Sequence, residues 1–150
     1  MLWKKSFVLL LVVTLVISAV LLPGCTFNEK ESTDGGNTTP SQLIEDISVS
    51  GAFNLIQQNQ DNSEFVVLDV RTANEYNASH IAGAIMIDFN SATFEAELEA
   101  LDKDKTYLVY CRSGNRSGQA QDIMEDLGFS AVYNMLGGFN GWVSAGYATV

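Results

Sequence analysis

The pattern of apolar and polar positions changes twice along the chain. Ser6 to Leu22 is an uninterrupted run without a charge, preceded by Lys4 and Lys5. Thr26 to Gln42 is polar, contains Gly35-Gly36 and Pro40, and has scarcely an apolar side chain. From Leu43 onward, short β-rich runs alternate with helical ones, which is the signature of βαβ units around a parallel sheet. The spacing predicts a helix over Gly51–Gln60 with Phe53, Leu55 and Ile56 on its apolar side, then a buried strand at Phe65–Asp69. Thr72-Ala73-Asn74-Glu75 has the spacing of a capping box and opens a short helix, and Ala84–Ile87 reads as a strand. Ser91 is placed to cap a helix carrying Phe94, Leu98 and Leu101. Thr106–Tyr110 is the next strand, Ser117–Leu127 a helix stopped by Gly128, and Ala131–Met135 a last strand. The expectation is one α/β domain with a mainly parallel sheet of about five strands and helices on both faces.

The first apolar run reads as an address rather than as part of that fold. It falls short of the roughly 20 residues that comfortably span a bilayer, and Pro23-Gly24 ends it. Leu22-Pro23-Gly24-Cys25 resembles a bacterial lipobox, in which the cysteine is lipidated and becomes the new N-terminus. The chain then divides into a lipoprotein signal peptide at 1–24, a flexible tether at 25–42 and the domain at 43–150. This division implies an exported domain, lipid-anchored through Cys25 to the outside of a bacterial cell membrane.

Composition narrows the partners. One domain accounts for 150 residues, and 47% hydrophobic against 17% charged side chains excludes a disordered or collagenous chain. A net charge of −10 excludes nucleic acid as a ligand, because that binding depends on Lys and Arg neutralising phosphates. Cleavage before Cys25 removes Lys4 and Lys5 and deepens the charge to −12. Such a surface does not dock on anionic lipid, so attachment would rest on acyl chains at about 0.8 kcal/mol per buried methylene.

With Cys25 acylated, Cys111 is the only thiol, and no internal disulfide can form. Cys111 follows the apolar run Tyr107-Leu108-Val109-Tyr110 and opens a loop, Cys111-Arg112-Ser113-Gly114-Asn115-Arg116, that leads into a helix. Open α/β sheets bind ligands beyond the carboxyl ends of their strands. Backbone N–H groups at a helix start and adjacent cations make an anion cradle. Such settings bring a cysteine pKa from about 8.5 down to roughly 3.5–7.5, so Cys111 is expected to be a nucleophile. Ser113, Gly114 and Asn115 let the backbone curl around the sulfur. Arg112 is expected at the mouth of the loop, and Arg116 is expected to brace the loop through Asp69 or Glu75. Arg71 and Glu75, four apart across a helix start, read as a structural pair. His80 is the only histidine and reads as a structural hydrogen-bonder, and one histidine with one thiol makes no zinc site. Gly137 and Gly138 read as a tight turn that lets Trp142 pack.

Three separated motifs resemble those of the rhodanese family. They are Asp69-Val70-Arg71 with Glu75 and His80-Ile81-Ala82-Gly83-Ala84; Cys111 to Ser117; and Leu136-Gly137-Gly138-Phe139-Asn140-Gly141-Trp142. The resemblance covers about Ile44 to Tyr147. It implies a rhodanese-like fold and sulfurtransferase chemistry without a cofactor, in which a cysteine thiolate takes sulfane sulfur from a small anionic or persulfide donor and passes it to a thiol, protein or cyanide acceptor. Two other readings stand beside it. A cysteine phosphatase or arsenate reductase places arginine six positions after the cysteine, where this chain has Ser117, and the family's six-residue loop suits sulfur. A catalytically idle binding or redox-sensing module would need no turnover at all, and a fold does not prove turnover.

Overall fold

The computed structural model describes residues 41–150. The segment read as a signal peptide, Cys25, and all of the tether but Ser41 and Gln42 lie outside the described residues. Gln42, the last residue of the expected tether, is attached to the domain: its amide donates to the carbonyls of Glu125 at 2.8 Å and Phe129 at 3.0 Å. Among the described residues, no helix is long and apolar enough to cross a membrane.

The elements run β1 (Leu43–Ile47), α1 (Val49–Gln58), β2 (Phe65–Asp69), α2 (Ala73–Ala78), β3 (Ile85–Met86), α3 (Phe94–Glu99), β4 (Thr106–Tyr110), α4 (Asn115–Asp126), β5 (Ala131–Met135) and α5 (Gly138–Ser144). The sheet has the order β1-β5-β4-β2-β3, and every pairing is parallel. β4 lies at its centre and is buried on both faces, which is why Tyr107-Leu108-Val109-Tyr110 reads as a continuous apolar run rather than an alternation. Successive residues of β4 feed different cores. Tyr107, Val109 and Cys111 join Ala120, Met124, Phe94 and Leu98 from α4 and α3. Leu108 and Tyr110 join Ala52 of α1 and Trp142 of α5 on the other side.

The connection leaving β2 runs to β3, towards one edge of the sheet. That leaving β4 runs to β5, towards the other edge. The carboxyl ends of two neighbouring strands, β2 and β4, therefore flank a point where the chain departs in opposite directions, and such crevices are where open α/β sheets place ligands.

Several boundaries depart from the sequence expectation, each for a local reason. α1 starts two residues before Gly51 because Ser48 Oγ accepts from Gly51 N at 3.1 Å and caps it. Ser91 does not cap α3. Its hydroxyl pairs with that of Thr93 at 2.7 Å, Thr93 is the N-cap, and Leu101 falls beyond the helix. The strand expected at Ala84–Ile87 shrinks to Ile85–Met86, although Ile87 N still bonds Asp69 O at 3.0 Å. α4 begins at Asn115, ahead of Ser117, because Gly114 takes a left-handed φ of 100°. Two elements carry no strong sequence signal: β1 is an edge strand with mixed polarity, and α5 was legible only as a turn.

Candidate active site

The loop after β4 wraps its backbone around one sulfur atom. Gly114 N donates to Cys111 Sγ at 3.2 Å and the Ser117 hydroxyl stands 3.5 Å away. In α1 and α2 a serine or threonine oxygen caps the first turn, but α4 has no side-chain cap, and the sulfur lies where such an acceptor would be. Cys111 is 1% exposed. Burial pushes its thiol pKa up, but hydrogen bonds from the Ser117 hydroxyl and from the amides of Ser117, Ser113 and Gly114 outweigh this and hold it below the ordinary value. Arg112, Ser113 and Asn115 are exposed, while Gly114 and Arg116 are half-buried.

The loop is fixed from three directions. The first is α5: Phe139 N donates to Cys111 O at 2.8 Å and Asn140 N to Arg112 O at 3.0 Å. This approach requires glycine at 138, where φ is 55° and a Cβ would stand 2.5 Å from Cys111 O. The second is α2, whose capping box turns Glu75 back onto Thr72, Oε2 accepting from Thr72 N at 3.1 Å and Thr72 Oγ1 at 2.9 Å. Arg116 grips the same carboxylate with both terminal nitrogens, at 3.1 and 3.0 Å. Arg116, with the Thr72 bonds, depresses the Glu75 pKa to about 2.

The third is the end of β2. Asp69 is fully buried and Arg71 is 3% exposed. Arg71 Nη2 contacts Asp69 Oδ2 at 2.6 Å and also donates to Ser79 O at 2.8 Å. The guanidinium lies 3.9 Å from the centroid of the Phe139 ring, linking β2 to the helix that holds the loop. Burial opposes the Arg71 charge, but the Asp69 carboxylate more than compensates and raises the pKa.

Of the two bracing partners the sequence left open for Arg116, the structure supplies Glu75. Arg71 is not paired with Glu75 as the four-residue spacing suggests, because Asp69 claims it. His80 stacks on Tyr76 with 3.8 Å between ring centroids, and its backbone exchanges two 2.9 Å bonds with Val150. A cleft of about 570 Å³, lined by Phe53, Ile56, Val67, Ile85 and Trp142 among others, includes no loop residue. Ser117 was legible as a helix start and as the end of the loop motif, with no role at the sulfur, yet it is fully buried against it. Its partner Asn134 is 3% exposed, and a polar residue inside the apolar run Ala131-Val132-Tyr133-Asn134-Met135 is the signal that could have drawn attention to it.

Two outcomes follow. Gly138→Ala is expected to cost about 1–3 kcal/mol through overpacking and to raise the thiol pKa by displacing the amides. Urea unfolding and the pH dependence of thiol alkylation measure the two effects, and unchanged values would remove α5 as the clamp. The depressed Glu75 pKa means that its ion pair adds stability fully above about pH 4.5 and loses it as pH falls towards about 2. The melting-temperature gap between wild type and Glu75→Gln should therefore close across that window, and a gap independent of pH would contradict the assignment.

Residues 52–145 match the rhodanese-like domain family. Thiosulfate sulfurtransferase GlpE of Coxiella burnetii is 32% identical over 100 residues, covering 67% of this chain and 88% of that protein. Thiosulfate sulfurtransferase PspE of Escherichia coli is 36% identical over 67 residues, covering 45% of this chain and 64% of that protein. The crystal structure of a rhodanese-related protein from Thermoplasma volcanium superposes with a TM-score of 0.59 at 30% identity, over 71% of this chain and 97% of that one. With its parallel five-stranded sheet, its loop motif and these relatives, the chain belongs to the rhodanese-like domain family.

Proposed function

We propose that the protein is a sulfurtransferase that carries sulfane sulfur on Cys111. The observation that supports this best is the ring of donors around Sγ, from Gly114 N, Ser113 N and the Ser117 amide and hydroxyl, in a loop of six residues. In the first half-reaction the thiolate attacks the outer sulfur of a donor such as thiosulfate. The S–S bond of the donor breaks, sulfite leaves with its electron pair, and Cys111 becomes a persulfide anion. In the second, a thiolate or cyanide attacks the terminal sulfur, the new persulfide or thiocyanate departs, and the Cys111 thiolate returns. The same amides stabilise both sulfur anions, so neither step waits for the site to reorganise. At 1% exposure, Cys111 suits a narrow terminal sulfur better than a bulky tetrahedral centre. Exposed Arg112 supplies a cation to draw an anionic donor.

Phosphate chemistry has less support. The arginine of this loop arrives one position early, and both terminal nitrogens of Arg116 are engaged by Glu75. Thiosulfate or polysulfide should add one sulfur mass to Cys111 in intact-protein mass spectrometry, and Cys111→Ser should abolish it. An unmodified wild type would overturn the proposal.

Residues 1–25 support export and lipid anchoring through Cys25, with the domain outside the cytoplasm. In a bacterial host, radiolabelled palmitate should enter the full chain and not Cys25→Ala. Equal labelling of both, or of neither, would contradict the anchor.

A further inference from the structure

The hydroxyl nearest the thiol is claimed by two groups. Ser117 has one O–H proton, and its Oγ lies 2.7 Å from Asn134 Oδ1 and 3.5 Å from Cys111 Sγ. An ionised sulfur and an amide oxygen are both acceptors, and a hydroxyl donates once. The Asn134 amide cannot simply turn its NH2 towards the serine. Nδ2 donates to Asp46 Oδ1 at 2.8 Å, and an ionised carboxylate only accepts. The parallel register of β1 on β5 sets Asp46 beside Asn134, so an exposed carboxylate at the sheet edge fixes the orientation of a buried amide next to the active-site helix.

We propose that Asn134, oriented by Asp46, is a positioning residue that competes with ionised Cys111 for the single hydroxyl proton of Ser117. In the thiol form the Ser117 proton rests on Asn134, the closer acceptor, and a serine lone pair is free to receive S–H. When the sulfur proton leaves for solvent, the hydroxyl turns to Sγ and Asn134 Oδ1 gives up its donor at a site 3% exposed. A buried acceptor stripped of its donor is unfavourable, so the contest weakens the help that the hydroxyl gives the loop amides and keeps the thiolate more basic than an uncontested Ser117 would leave it. Basicity has a use here, because the nucleophilicity of a thiolate falls as its pKa falls.

The charged groups around the sulfur lie elsewhere. Arg116 is close enough for ionised Cys111 to raise its pKa, and Glu75 and Asp88 act on the same guanidinium. Arg112 extends from the loop, and the Asp69–Arg71 pair closes the end of β2. None of them fixes the Asn134 amide, which leaves Asp46 as the group to vary.

The inference deepens the proposed chemistry of Cys111, but its test needs no sulfur donor, so either can fail alone. Asp46→Ala frees the amide to turn Nδ2 towards Ser117 and releases the hydroxyl for sulfur. The midpoint of iodoacetamide alkylation against pH should then fall by about one unit, and Asn134→Leu should lower it likewise. In a Ser117→Ala background neither change should move it. A midpoint unmoved by Asp46→Ala overturns the relay. So does an equal fall in both backgrounds, or a fall that shrinks in molar salt, since either would be the through-space effect of removing one negative charge.

Discussion

An ionised sulfur beneath a protein surface is tolerable only where preorganised donors replace water. Here nearly all of those donors belong to the main chain. Amides can be aimed at one point only by a backbone that reverses its curvature there, which Gly114 achieves with a φ of 100°. The rest of the active end of the sheet serves to keep that backbone in place. β4 delivers Cys111 from the most deeply buried strand, and α5 bonds the carbonyls of Cys111 and Arg112, leaving the N–H groups of the loop directed at the sulfur.

The charged residues around the loop act mainly as braces. Asp69 and Arg71 are buried together, an arrangement that carries a desolvation cost and is justified by geometry rather than by stability. Their pairing places the guanidinium under Phe139 and so couples the end of β2 to the start of α5. Glu75 does a similar job from α2, completing its own helix cap while holding Arg116. Arg112, by contrast, is exposed and takes part in neither of these ion pairs.

Much of this architecture was legible in the residue pattern. β2, β4 and β5 coincide with the expected runs, because interior strands of a parallel sheet are predominantly apolar and bounded by turn residues. The Thr72–Glu75 capping box was legible for the same local reason. β1 escaped because an edge strand exposes Glu45 and Asp46 and so breaks the apolar signal. α5 escaped because glycines at 138 and 141 look like a turn until Cys111 and Arg112 carbonyls arrive to bond its first amides. At the site, the thiol and its loop could be read from a contiguous motif. The partner of Arg116 could be narrowed but not chosen, and the pair of Asn134 with Asp46 could not be read at all, since Arg116 reaches Glu75 across 41 positions and Asn134 reaches Asp46 across 88. Contacts of that separation are set by sheet order, which local spacing does not encode.

The dependence on main-chain donors has an evolutionary consequence. Because the sulfur is held by amides that every amino acid but proline possesses, the exposed side chains at 112, 113 and 115 can be exchanged without dismantling the cradle around it. Descendants of such a scaffold could therefore diverge in the molecules they meet while inheriting the same cradled sulfur unchanged.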